Sequence, residues 1–188
     1  SGNVIAEVPG TDPNAGVVLV GGHLDSWDLA TGAIDDASGI AITTAAAKRI
    51  LDSGRRPRRT IRVVWFGAEE VGGFGGEDYA RKHGVETTLP PTARPVADRL
   101  ASALAPLGIV RGTGPGGDGS DIEATIATGV AGIDLNQSGL RYFDVHHTPD
   151  DTLDRIDPAQ LQQNVAAWTT MLAVVADAPY YILSDTRP

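Results

Sequence analysis

The sequence has no cysteine and a single methionine among its 188 residues, and only 5% of its residues are aromatic. The absence of cysteine excludes disulfides, thiolate metal sites and cysteine nucleophiles. No stretch approaches the roughly 20 consecutive apolar residues that span a bilayer. The amino terminus also lacks the basic segment followed by an apolar one that marks a signal peptide. We therefore expect a soluble chain whose chemistry uses other side chains.

Basic residues are also scarce relative to acidic ones. The chain carries 15 Lys and Arg against 24 Asp and Glu, for a net charge of −9. This balance disfavours nucleic acid and anionic membranes as partners. The length, with 41% hydrophobic and 21% charged residues, is typical of a globular chain with one core, so we predict a single domain over residues 1–188.

Apolar runs that suit buried strands alternate with helical patterns along the chain. This order predicts a three-layer α/β/α fold with a mostly parallel central sheet. In such sheets, ligands collect beyond the carboxyl ends of the strands. We expect strands at 3–8, 17–20, 60–66, 109–111 and 130–135, and helices at about 38–51, 76–83, 96–107, 121–128 and from 158.

Three separate loops, each after an apolar run, carry side chains that suit a metal. They supply His23 and Asp35, then Glu69 and Glu70, then His147. Imidazole nitrogen and carboxylate oxygen are zinc ligands, and one carboxylate can bridge two ions. Asp35 is the candidate bridge.

A carboxylate two positions after the first histidine is a candidate supporting group. We predict that Asp25 accepts the second N–H of the His23 imidazole, which would set its tautomer and raise its basicity.

Each of these residues also has an ordinary structural explanation when taken singly. Acids before a helix can cap it or favour its dipole, and polar loop residues are commonly solvated. These alternatives are Asp35 and Asp36 as caps, Glu69 and Glu70 as first-turn acids, His146 and His147 as a solvated pair, and Asp151 as a turn residue. The hypothesis of a metal site depends on their occurring together at strand ends beside glycine turns.

Four segments carry a family resemblance: GGHLDSWD with GAIDDASG, then WFGAEEVGGFG, then YFDVHHTPDDT. In order and spacing they resemble the co-catalytic zinc exopeptidases typified by bacterial double-zinc aminopeptidases, and most closely the plasma glutamate carboxypeptidase branch. The resemblance covers nearly the whole chain. It implies hydrolysis of dipeptides or short peptides, one or two zinc ions per chain, and a secreted or periplasmic location.

The resemblance also implies roles for individual residues. It makes His23 a ligand of one zinc, Asp35 the bridge, Glu70 and His147 ligands of the other zinc, and Glu69 the general base. His147 is chosen over its neighbour His146 because it directly precedes Thr148 and lies four residues before Asp151, as the family ligand does.

One departure from the family pattern affects the His23 site. Relatives have a strand after the Glu-Glu helix that brings an aspartate to this site, whereas here VETTLPPTARP leads almost directly to the next helix. About twenty residues are absent by family comparison, and the only acids nearby are Glu86 and Asp98. We expect the Asp35, Glu70 and His147 site to be complete and the His23 site to lack a ligand unless another carboxylate replaces it.

Three other functions remain as alternatives. Glutaminyl cyclases resemble these peptidases and use one zinc, here held by Asp35, Glu70 and His147. Transferrin-receptor ectodomains resemble the fold without peptidase activity. Finally, RGTGPGGDGSD matches the GxGxxG dinucleotide pattern, but its proline restricts the turn and its aspartates would repel a pyrophosphate.

Overall fold

The computed structural model describes residues 2–83, 94–112, 119–130 and 132–178. Three strands and six α-helices occur in these ranges, together with a π-type turn at Ala33–Ala37 and 3₁₀ turns at Ala105–Leu107 and Leu153–Arg155. The strands are β1 (Val4–Val8), β2 (Val17–His23) and β3 (Thr60–Phe66). The helices are α1 (Ser38–Asp52), α2 (Phe74–His83), α3 (Arg94–Leu104), α4 (Glu123–Ile126), α5 (Tyr142–Val145) and α6 (Pro158–Ala176). None of the helices within the described ranges is long and apolar enough to cross a membrane.

The strands form one sheet in the order β1-β3-β2. β2 runs parallel to β3, with Val17 opposite Thr60 and His23 opposite Phe66, and β1 runs antiparallel to β3. The sheet is therefore mixed in the described residues, with one parallel and one antiparallel pair. The parallel pair matters for the site, because it brings the carboxyl ends of β2 and β3 to the same edge.

Both faces of the sheet are covered, which confirms the predicted α/β class and its three layers. On one face, Val20, Ile61 and Val63 share a core with residues of α1, α3 and α6. On the other face, Val64 and Phe66 pack with Tyr79 of α2. The alternation along β3 explains this division, since successive side chains of a strand point to opposite faces.

The helix starts follow the local sequence signals. Asp157 caps α6 by accepting hydrogen bonds from the backbone N–H groups of Ala159 and Gln160, at 2.8 and 3.2 Å, and Pro158 occupies the first turn, as predicted. The N-cap of α1 is Ala37, without a side-chain capping hydrogen bond. The Asp36 carboxylate accepts a hydrogen bond from the backbone N–H of His23 at 3.1 Å.

Two predicted strands are wrong. Residues 109–111 and 132–135 have no regular secondary structure, although Ile133 and Leu135 pack against the main core. A strand is defined by its hydrogen-bonded neighbour, and among the described residues neither stretch has one. The glycine loop expected at 112–119 lies largely outside the described residues, and so does the loop at 84–93.

Candidate metal centre

The carboxyl end of β2 delivers His23 to the site in one orientation. The ring is 5% exposed, its Nδ1 lies 2.9 Å from the backbone carbonyl oxygen of Asp25, and its Nε2 lies 3.3 Å from Asp35 Oδ1. Since a carbonyl only accepts, Nδ1 carries the proton and donates it. Nε2 is then the nitrogen available to a metal.

This contact corrects the prediction made for Asp25. The second imidazole N–H goes to the backbone carbonyl of Asp25, and the Asp25 carboxylate lies 3.8 Å from Nδ1. The carboxylate instead accepts hydrogen bonds from the backbone N–H groups of Glu69 and Glu70, both at 3.1 Å. Asp25 therefore ties the loop after β2 to the turn after β3, and it positions the Glu-Glu pair.

Asp35 lies between the histidines. Its Oδ1 faces His23, and its Oδ2 lies 3.2 Å from His146 Nε2 and 3.5 Å from His147 Nε2. Burial opposes ionisation of Asp35, but hydrogen bonds with His23 and Tyr142 outweigh it and hold the pKa of the carboxyl below its usual value. Asp35 is thus ionised, with its two oxygens directed toward different ligand candidates.

Glu70 and His147 meet on the other side of the site. His147 Nε2 lies 3.0 Å from Glu70 Oε2, and the His147 ring stacks on Trp27 with centroids 4.3 Å apart. Its backbone φ of 59° is in the left-handed region, which non-glycine residues occupy mainly at functional sites and turns. Glu70 Oε1 is buried and has no hydrogen-bond partner, so this carboxylate has a free acceptor that a cation could satisfy.

Two overlapping groups of ligand atoms each lie within 4.8 Å of one another: His23, Asp35 and Glu70, and Asp35, His146 and His147. Asp35 belongs to both groups, as expected of a bridging carboxylate, but Glu70 is grouped with His23 and not with His147 as the sequence predicted. The structure therefore brings the four predicted ligands together from three separate parts of the chain. Their role as ligands stays a prediction.

His146 was not chosen as a ligand from the sequence, but the structure places it beside Asp35. The His146 ring stacks on His147 with centroids 3.7 Å apart and also contacts Asp35. Among the described residues, only His147 of the two forms an ion pair with Glu70. The geometry thus favours His147 as the ligand that shares an ion with Glu70, and it leaves His146 beside the same carboxylate.

Glu69 differs from Glu70 in its access to solvent. Its side chain is 18% exposed, against 5% for Glu70. Its Oε2 lies 4.0 Å from His23 Nε2, and both glutamates line a pocket of about 300 Å³ together with Ser120, Tyr142 and the histidines. Glu70 therefore directs its carboxylate into the ligand cluster, and its neighbour Glu69 directs its carboxylate toward the open pocket.

Asp151 is a supporting residue that sequence reasoning treated as a turn residue. It is 1% exposed, and its carboxylate accepts hydrogen bonds from the backbone N–H groups of Ile34 at 2.7 Å and Asp35 at 3.0 Å. It thus holds the backbone that carries the bridging carboxylate. Its position four residues after His147 in the HHTPDD segment, which matches the family pattern, was the signal in the sequence.

Asp121 was missed altogether as a residue of the site. Burial raises its pKa to about 7, and the negative charges of Asp36 and Glu69 add to this effect while His23 opposes it. Its Oδ1 is buried with no hydrogen-bond partner, and it lines one cavity with His23 and Asp35. Its oxygens lie outside both groups of ligand atoms.

The acids named from the sequence as replacements for the absent ligand do not serve the His23 site. Asp98 is exposed and pairs with Arg111 at 2.6 Å, while Glu86 lies outside the described residues. Asp121 lines the same cavity as His23, and so do Asp36 and Asp134. Nothing local in the sequence distinguished Asp121 from a loop acid.

Comparison with known proteins agrees with this set of residues. Residues 3–90 match the model of Peptidase family M28. Carboxypeptidase Q of Bos taurus is 37% identical over 196 residues, which cover 93% of this chain and 41% of that protein. Over residues 3–90 the chain is thus similar to peptidase family M28. Together with the imidazole and carboxylate ligand set, this similarity indicates zinc as the metal.

Solved structures of M28 relatives share the fold. A peptidase M28 precursor from Shewanella amazonensis matches with a TM-score of 0.89 and 42% identity, over 99% of this chain and 46% of that one. A zinc aminopeptidase from Bacillus subtilis matches at 19% identity with a TM-score of 0.71, over 97% of this chain and 52% of that one. A glutaminyl cyclase from an Acidobacteriales bacterium matches at 19% identity with a TM-score of 0.64, over 93% of this chain and 73% of that one. These last two show the fold alone.

The chain spans about two fifths of the length of the curated relatives that it matches. The activities of those longer proteins therefore enter only as support for a proposal.

Proposed function

We propose that this chain is a zinc-dependent exopeptidase of the aminopeptidase or dipeptidase type, acting on dipeptides or short peptides. The observation that carries the proposal is the position of Asp35, with one oxygen 3.3 Å from His23 and the other 3.5 Å from His147. A carboxylate between two ligand sets suits a two-ion site. Similarity to family M28 over residues 3–90 and 37% identity to carboxypeptidase Q of Bos taurus support hydrolysis of peptides.

The residues fit zinc by their own chemistry. His23 directs Nε2 toward the ligand cluster because its Nδ1–H donates to the Asp25 backbone carbonyl, Asp35 is ionised, and Glu70 has a buried oxygen without a partner. Zinc binding would displace the proton from Nε2. We assign Asp35, Glu70 and His147 to one ion and His23 with Asp35 to a second. When bound, zinc supplies a Lewis acid and lowers the pKa of water toward 7.

Glu69 is assigned as the general base. Its carboxylate faces the open pocket, and its backbone is held by the Asp25 carboxylate. In this position Glu69 can accept a proton from the attacking water and pass it to the leaving amine. Glu70, buried against His147, is not free to move a proton in the same way.

The substitution Glu69→Gln tests this role. It keeps the size of the side chain and removes its basicity, so we expect turnover of dipeptides to fall by about 10²–10⁴-fold. Zinc content, measured by elemental analysis, should stay unchanged. Glu77→Gln, at an exposed position in the first turn of α2, is the matched control and should retain activity. Retained turnover in Glu69→Gln would remove Glu69 from this role.

Two assays on the same preparation distinguish a peptidase from the alternative function, a single-zinc glutaminyl cyclase. Assays against dipeptides and against peptides with an amino-terminal glutamine distinguish hydrolysis from single-zinc cyclisation. We expect hydrolysis, because His23 lies within the ligand cluster and a single-zinc site has no need of it. Cyclisation without hydrolysis would overturn the proposal. The zinc stoichiometry then reports whether the His23 site binds its own ion.

A further inference from the structure

The two histidines assigned as ligands are held in different ways. The His23 side chain is 6% exposed, and its Nδ1–H donates to the backbone carbonyl of Asp25. The His147 side chain is 34% exposed, and among the described residues no oxygen accepts a hydrogen bond from its Nδ1. A histidine that binds a metal commonly donates this second N–H to a carboxylate, a carbonyl or water. The protein groups that orient His147 are therefore of another kind.

Two aromatic rings enclose the His147 imidazole. The Trp27 indole lies 4.3 Å away between centroids and is nearly parallel to it, at 9°. The His146 ring lies 3.7 Å away at 24°. Two rings at these separations would overlap if they shared one face of the imidazole, so they lie on opposite faces. Ring contacts thus restrict the rotation of His147 on both sides.

The loop that carries Trp27 is tied to the loop that carries His147. Thr31 Oγ1 donates to the backbone carbonyl of Asp151, four residues after His147, at 2.7 Å. The N–H of Ala30 donates to the Trp27 carbonyl at 3.1 Å, which closes the turn around the indole. Trp27 itself is 43% exposed and belongs to neither core cluster of the described residues. Its ring therefore packs on the ligand rather than in the core.

The stack favours the form of His147 that binds a cation. An imidazole gains positive charge when it coordinates a metal ion, and the face of an indole attracts positive charge more strongly than that of a phenyl ring. The parallel geometry places the imidazole over the indole face. A contact that is stronger in the metal-bound state than in the free state raises the affinity for the metal.

We propose that Trp27 is a positioning residue of the metal centre, whose indole holds the His147 ring toward Glu70 and raises the zinc affinity of this ligand set. In the stacked position His147 Nε2 lies 3.0 Å from Glu70 Oε2, and rotation away from the indole would move the nitrogen off that carboxylate. This inference rests on the proposed function, because it takes His147 as a zinc ligand.

Two substitutions separate the aromatic ring from its bulk. Trp27→Leu keeps an apolar side chain without a ring, and Trp27→Phe keeps a smaller ring. We expect zinc affinity, measured by competition with a chelator, to fall by about 3–10-fold in Trp27→Leu, the factor that an aromatic contact contributes. The loss should be smaller in Trp27→Phe. Leu29→Ala, at a position 78% exposed in the same loop, is the matched control and should bind zinc as the parent chain does.

Measurements in EDTA distinguish this role from a structural one. The metal-free parent chain should show NMR cross-peaks between the indole protons of Trp27 and the ring protons of His147. The melting temperature of metal-free Trp27→Leu should stay close to that of the parent, because the indole lies outside both core clusters. Absence of the cross-peaks would overturn the proposal. A fall in melting temperature large enough to account for the loss of zinc affinity would also overturn it.

His147→Ala distinguishes failure of this inference from failure of the proposed ligand set. Zinc affinity equal to that of the parent in His147→Ala would overturn the assignment of His147 as a ligand, and the role of Trp27 with it. A loss of affinity in His147→Ala, together with full affinity in Trp27→Leu, would overturn the role of Trp27 alone. Equal losses in Trp27→Leu and Trp27→Phe would do the same, because the aromatic ring would then contribute nothing.

Discussion

At the scale of single residues, the candidate centre depends on carboxylates that hold backbone as well as on those that could hold metal. Asp25 accepts the N–H groups of Glu69 and Glu70, and Asp151 accepts those of Ile34 and Asp35. A carboxylate that accepts two backbone donors fixes a turn more firmly than a neutral acceptor does. The positions of the candidate ligands are thus set from outside the ligand cluster.

Replacing Asp151 tests this support. Asp151→Ala leaves two backbone N–H groups without their acceptor, which should lower the free energy of unfolding by about 1–3 kcal/mol. The loss of a group that orients a ligand should also weaken zinc binding by about 10–100-fold. Thermal unfolding and competition with a zinc chelator measure the two effects.

The matched control is the neighbouring residue. Asp150→Ala removes an exposed carboxylate and should change neither quantity measurably. Equal effects of the two substitutions would show that the HHTPDD loop matters only through its total charge.

At the scale of secondary-structure elements, close approach at glycine brings a distant loop to the site. Gly76 in α2 lies so near the backbone of Asp121 that an added Cβ would collide with the Asp121 carbonyl oxygen. Ile122 packs on the cluster of Val64, Phe66 and Tyr79 from the same loop. Helix α2 therefore fixes where Asp121 enters the cavity beside His23.

Gly76→Ala should push α2 away from this loop. The collision is with backbone, which cannot rotate aside, so we expect a loss of about 1–3 kcal/mol in the free energy of unfolding. The Asp121 carboxyl should become more exposed, and its pKa should fall back toward its usual value. Chemical denaturation and NMR titration of the side chain measure the two changes.

Gly139→Ala serves as the control for this substitution. No atom lies within 4 Å of a Cβ added at Gly139, so its stability should stay close to that of the parent chain. A stable Gly76→Ala protein with an unchanged Asp121 titration would show that the contact does not position the loop.

At the scale of the whole molecule, the site buries several ionisable side chains close together. In the metal-free chain, burial makes the ionised form of its aspartates unfavourable. Burial raises the pKa of Asp36 to about 6, although His23 opposes the shift, and it raises that of Asp121 to about 7. Burial opposes protonation of His23, but the hydrogen bond to Asp35 and the charge of Asp36 outweigh it and raise its pKa to about 10. All three groups bind protons more tightly in the folded chain than in the unfolded one.

The metal-free chain should therefore lose stability as the pH rises. Where the folded state binds more protons than the unfolded state, the free energy of unfolding falls with pH. For the two aspartates, the interval runs from about 4 to 7, and for His23 it runs from 6.5 to about 10. We expect the melting temperature in EDTA, followed by circular dichroism, to decrease from pH 5 through pH 7 to pH 9.

Zinc should reverse this trend, because it binds deprotonated ligands and stabilises the folded state. The melting temperature with saturating zinc should therefore exceed that in EDTA by more at pH 7 than at pH 5. A melting temperature in EDTA that is constant or rises with pH would contradict the coupling between these groups and folding.

Local patterns were enough for much of the fold. The continuous apolar runs at 17–20 and 60–66 predicted β2 and β3, since a strand buried on both faces needs no polar alternation. The Asp157-Pro158 pair predicted the start of α6. His23, Glu69 and Glu70 were predicted because they stand at or just after the ends of these strands, whereas the roles of Asp35 and His147 were implied by the family resemblance. The expectation at 130–135 failed because a strand requires a neighbour, and a cavity lies between β2 and residues 132–136.

The sequence by itself determined which elements form around the site and which residue types stand at the ends of β2 and β3, because hydrophobic patterning, capping and turn residues act within a few positions of the chain. Only the tertiary structure decided that Asp25 holds the Glu-Glu turn, that Asp151 holds the Asp35 backbone, and that Asp121 enters the cavity. These contacts join residues about 44 to 116 positions apart, and packing and burial set them.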